Sequence, residues 1–116
     1  MFIVLGIVAG IFFLLFIISK NKGPLVIPVD SYLVDVRTPE EFRSGSVPGA
    51  VNIPLKEINA RKEEFRDKNN IVFFCKTGTR AGQAKIILNH NGMKNVVNGG
   101  SYKKVMEAMA TSDTVN

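Results

Sequence analysis

The run Ile71-Val72-Phe73-Phe74-Cys75 constrains this chain more than any other segment. It is β-branched and aromatic without a polar break. A half-exposed strand alternates apolar and polar residues, so a continuous run of this length fits a strand buried on both faces, as in a parallel sheet. Similar runs are Tyr32-Leu33-Val34-Asp35-Val36, the shorter Ala50-Val51-Asn52-Ile53 and Asn95-Val96-Val97, with Leu25-Val26-Ile27 expected as an edge strand. Helical patterns lie between them. Thr38 reads as an N-cap, followed by Pro39 at the first helical position and acids in the first turn. A helix is expected from Leu55 to Phe65. Arg80 to Asn91 places Ala81, Ala84, Ile87 and Leu88 on one face, and Asn91-Gly92 ends it. Ser101 to Ala110 is the last expected helix. Strands alternating with helices predict an α/β domain with a mainly parallel sheet flanked by helices.

The hydrophobic residues are unevenly spread. Residues 1–18 carry no charge, and only Gly6 and Gly10 interrupt their hydrophobic run. As a helix they span about 27 Å, enough for a bilayer core. The start lacks a basic residue and the end lacks a small-residue pair, so the reading is one N-terminal transmembrane helix rather than a cleaved signal. Lys20 and Lys22 place the following domain in the cytoplasm; cleavage with release to the periplasm or outside is the alternative. Gly6 and Gly10 form one G-x-x-x-G that would allow a weak dimer. The expected organisation is an anchor at 1–19, a linker at 20–24, a domain at 25–110 and a polar tail at 111–116.

The chain has 15 Lys and Arg against 10 Asp and Glu, a net charge of +5. These charges are scattered singly, with no basic run, which reads as a solvated surface rather than a nucleic-acid interface. A single cysteine excludes a disulfide scaffold within the chain.

That cysteine ends the strongest strand, at the carboxyl edge where open α/β sheets bind ligands. The segment Cys75-Lys76-Thr77-Gly78-Thr79-Arg80 then leads into a helix. Successive backbone N–H groups, the helix dipole and two cations would stabilise a thiolate and make Cys75 nucleophilic near neutral pH.

Several motifs now line up. Asp35-Val36-Arg37-Thr38-Pro39-Glu40-Glu41-Phe42, then Gly45-Ser46-Val47-Pro48-Gly49-Ala50-Val51-Asn52-Ile53-Pro54, the Cys-x-x-Gly-x-Arg loop and Gly99-Gly100 resemble the rhodanese-domain signature. The resemblance covers residues 26 to 108 and is closest in look to small single-domain thiosulfate sulfurtransferases of the bacterial phage-shock type. It implies that Cys75 takes the outer sulfur of thiosulfate, or of another small anionic donor, as a persulfide and passes it to cyanide or a thiol. It implies that Lys76, Thr77, Gly78, Thr79 and Arg80 cradle the persulfide or substrate, with Lys76 and Arg80 as sulfonate-binding cations. Asp35 and Arg37 would be structural, and no metal or organic cofactor is implied. Two positions depart from the pattern: Ser46 stands where a histidine is frequent, and the tryptophan of the last helix is missing, leaving Tyr102 or Val105 in its place.

Two other readings use the same loop. A persulfide carrier without its own turnover needs only the cradle. A phosphatase or arsenate reductase resembles Cys-x5-Arg, one residue longer than the spacing here, and disulfide-type arsenate reductases need further cysteines. With one thiol in the chain, a persulfide must leave to an external acceptor.

Overall fold

The structure is a computed structural model and describes the backbone of residues 25–115, with side chains to Thr111. The expected anchor at 1–19, its Gly6 and Gly10, and the linker at 20–24 lie outside the described residues. Among those described, no helix is long and apolar enough to cross a membrane.

The chain order is β1 (Ser31–Asp35), α1 (Pro39–Arg43), β2 (Val51–Asn52), α2 (Leu55–Ile58), a 3-10 turn (Lys62–Phe65), β3 (Asn70–Cys75), α3 (Thr79–His90), β4 (Val96–Ser101) and α4 (Tyr102–Val115). The four strands form one sheet in the order β2-β1-β3-β4, with every pairing parallel. Here β3 is central, which explains its unbroken apolar sequence. Ile71, Phe73 and Cys75 pack into one core layer, together with Ile58, Phe65, Ala81, Ala84 and Leu88. Val72 and Phe74 point to the other layer, with Leu33, Val47 and Val105. Residues 71 to 75 thus alternate between two cores, which leaves no place for a polar side chain among them.

Three expectations change. Leu25-Val26-Ile27 is not a strand: Pro28 follows it, lacks an N–H for a ladder, and accepts from Ser31 in a turn. Ile27 is nonetheless buried against the second core, while Val26 is exposed. The helix expected over 55–65 breaks after Ile58 and resumes as a 3-10 turn. Only Leu55, Ile58 and Phe65 reach the core from this segment, and the polar stretch between them has nothing to bury. The last helix runs to Val115, through most of the expected tail.

Candidate active site

The first motif supplies a rigid corner beside the carboxyl edge of the sheet. Asp35, the last residue of β1, is fully buried and accepts from the Arg37 backbone N–H at 2.9 Å. It also accepts from Arg37 Nε at 3.0 Å and Nη2 at 2.7 Å. Ser46 Oγ donates to the same carboxylate at 2.7 Å. Arg37 Nη2 reaches the Gly45 carbonyl, and its guanidinium lies 4.3 Å from the centre of the Tyr102 ring. Two buried charges are tolerated because they are paired and hydrogen-bonded to each other. Asp35 and Arg37 thus join the end of β1 to the loop at Gly45 through one paired network. Ser46 shares it, and Tyr102 covers the arginine from the last helix.

The Cys75 loop follows β3. Gly78 is the N-cap of α3 with φ +103°, a conformation that side-chain-bearing residues rarely adopt. It turns the chain so that its own N–H donates to Cys75 Sγ at 2.9 Å. Burial pushes the Cys75 thiol up, but backbone N–H groups of Ala81, Gly78, Thr77 and Arg80 outweigh it, and the pKa falls below that of an ordinary cysteine. Of the residues expected to cradle the sulfur, Thr77, Gly78 and Arg80 turn their N–H groups to it, joined by Ala81 one residue further on. Cys75 is fully buried, whereas Lys76, Thr77 and Thr79 are exposed above it. The Thr77 and Thr79 hydroxyls lie 3.3 Å apart.

Arg80, expected with Lys76 as a sulfonate-binding cation, is paired within the chain. Its guanidinium does not stand open beside the loop. Nη1 donates to Glu41 Oε1 at 2.8 Å and Nη2 to Oε2 at 3.2 Å. Glu41 is itself fixed, because it completes a capping box with Thr38 at the start of α1. Its carboxyl is held down to about 2, first by the hydrogen bonds from Arg80 and then by those from Thr38. Arg80 is raised chiefly by Glu41, with a smaller contribution from the charge on Cys75.

Sequence reasoning missed Asn98. Its Nδ2 donates to the Gly78 carbonyl at 3.0 Å, and its Oδ1 accepts the Gly100 N–H at 2.9 Å. One side chain thus ties the loop to the end of β4. There the register slips: Phe73 pairs with Asn98, but Cys75 pairs with Ser101, so β4 carries one extra residue. The glycines at this bulge are needed for space. A Cβ on Gly99 would sit 2.8 Å from Val105 and 2.9 Å from Val72, and one on Gly78 would meet Gly100 Cα at 3.3 Å. The adjacent Gly99-Gly100 pair was the available signal, since paired glycines in a strand mark close backbone approach. Among the described residues, no three His, Cys, Asp or Glu side chains gather as a metal site requires.

The family model described as rhodanese-like domain matches residues 20–108. The thiosulfate sulfurtransferase PspE of Escherichia coli is 43% identical over 74 residues, covering 62% of this chain and 71% of that protein. The human thiosulfate:glutathione sulfurtransferase is 33% identical over 93 residues, 65% of this chain and 78% of its own. Among solved structures, one titled as a rhodanese with anions from E. coli has a TM-score of 0.58 at 38% identity, over 64% of this chain and 89% of that one.

Proposed function

This chain belongs to the rhodanese-like domain family, and from that premise we propose that it is a thiosulfate:acceptor sulfurtransferase with Cys75 as the nucleophile. The observation that carries the reading is the thiol itself. It is the single cysteine of the chain, it ends the central strand, and backbone N–H groups lower its pKa. The relatives' names add thiosulfate as a donor class.

In this mechanism the Cys75 thiolate attacks the outer sulfur of thiosulfate. The S–S bond of the donor breaks, its electron pair leaves on sulfite, and a Cys75 persulfide anion remains. The acceptor, cyanide or a thiolate, then attacks the outer persulfide sulfur and restores the Cys75 thiolate. No proton needs to move in either step, so the site needs no general base. The cradle N–H groups solvate first the thiolate and then the persulfide. Exposed Lys76 meets the sulfonate end, and Arg80 adds its backbone N–H and the field of its partly neutralised charge. No resident metal or organic cofactor takes part.

A cyanide-coupled assay with thiosulfate tests this. Catalytic thiocyanate release, abolished by Cys75→Ser, is the expected result. A folded, reduced chain that makes no thiocyanate would sink the thiosulfate claim. A single stoichiometric release would point to the carrier reading instead, and hydrolysis of phosphate esters above background would point to the phosphatase-like one.

For location, the same proposal holds residues 1–19 as an uncleaved membrane anchor with the domain on the cytoplasmic side, on the strength of the uncharged run and Lys20 and Lys22. The intact mass of the natural protein checks cleavage. A reporter fused to the C-terminus that is active only outside the cytoplasm would reverse the orientation.

A further inference from the structure

A cation beside a reactive thiolate is the natural hold for an anionic substrate, yet the end of the Arg80 fork is already filled. Both terminal nitrogens donate to one carboxylate, Nη1 to Oε1 at 2.8 Å and Nη2 to Oε2 at 3.2 Å of Glu41. This is the two-point geometry with which a guanidinium grips the oxygens of a phosphate or sulfate. The carboxylate cannot follow Arg80 if the arginine swings away, because Glu41 Oε1 also accepts from the Thr38 backbone N–H and hydroxyl, both at 3.2 Å. Glu41 lies on α1 and Arg80 on α3, so the contact joins the first motif to the nucleophile loop.

We propose that Glu41 is a specificity-determining residue: its carboxylate occupies the end of the Arg80 fork as an internal oxyanion and denies sulfate- or phosphate-like groups the end-on, two-point hold beside the Cys75 loop. Donors that offer a single outer sulfur to the N–H cradle do not need the fork and pass this filter. The inference rests on the sulfur-transfer reading for its purpose, but not for its test.

The test is binding of inorganic sulfate, and separately phosphate, to the full chain, followed by titration calorimetry and by the amide shifts of Thr77, Gly78 and Arg80. Glu41→Gln keeps an oxygen for the Thr38 cap and removes the charge. It should tighten sulfate binding on the order of threefold to tenfold, the worth of a partly exposed bidentate contact. Adding Arg80→Lys, which keeps the charge and loses the fork, should cancel that gain. Arg80→Lys alone is the reference for the double variant: on that background Glu41→Gln should bring no gain. Damage to the loop would weaken binding, so a gain cannot come from a merely structural role. The proposal is overturned if Glu41→Gln leaves sulfate affinity unchanged or lower. It is equally overturned if Glu41→Gln brings the same gain on the Arg80→Lys background. None of these readouts needs turnover. A chain that transfers no sulfur but shows the binding pattern refutes the activity alone, and the reverse outcome refutes the filter alone.

Discussion

Asp35 shows how much one buried carboxylate can organise. It accepts from the Arg37 backbone and side chain and from Ser46, and it has no exposed surface. Asp35→Ala would leave the Arg37 guanidinium buried and unpaired, so it should destabilise the fold by about 3–5 kcal/mol, measured by urea unfolding. Ser46→Ala removes one donor and should cost about 1 kcal/mol. If the two variants cost the same, Asp35 is not the centre of that corner. Gly99 makes the opposite case, through lack of atoms. Gly99→Ala pushes a methyl into Val105 and Val72. A loss of about 1–3 kcal/mol is expected, with a fall in sulfur transfer because the Cys75 loop is tied to this strand end. The thiol gives a third outcome at this scale. With its pKa lowered, its ultraviolet thiolate absorbance should titrate with a midpoint below that of a free cysteine. Gly78→Ala, strained at a φ of +103°, should move that midpoint back up.

At the scale of elements, the tie between α1 and α3 has a pH signature. Glu41 is depressed in the folded state, from an ordinary value of 4.5 to about 2. Its contribution to stability is therefore fully present above 4.5 and disappears as pH falls towards 2. Acid unfolding of Glu41→Gln should show a shallower slope across that window; an unchanged slope would mean the ion pair contributes nothing to the fold. Elements also show what could be read in advance. The central strand, the capped start of α1 and the apolar face of α3 each announce themselves by local pattern, and the structure has them within a residue or two. The break in the 55–65 helix was not visible because sparse apolar spacing reads alike for one long helix and two short turns. Glu41–Arg80 and Asn98–Gly78 were invisible for another reason. They join residues 39 and 20 positions apart, and no local periodicity encodes such a pairing. Cys75 and its loop were legible because strand, glycine and helix start are contiguous in the chain.

At the scale of the molecule, the sheet is all-parallel, and its central strand pairs with β1 before it and β4 after it in sequence. Such pairings close only through long crossovers, so they form late compared with the helices between them. The brace that holds the nucleophile loop, Asn98 to Gly78, belongs to the last of these pairings. A consequence concerns the order in which chemistry arrives during synthesis. A chain that has emerged only as far as Lys94 already carries Cys75 but not the side chain that pins the turn beneath it. The amide donors to its sulfur, from Thr77 to Ala81, are already present in that shorter chain. What arrives with the last strand is the brace that fixes their aim. A fragment ending before Asn98 should therefore show a thiol midpoint above that of the whole chain, and an equal midpoint would mean that the loop holds its own shape.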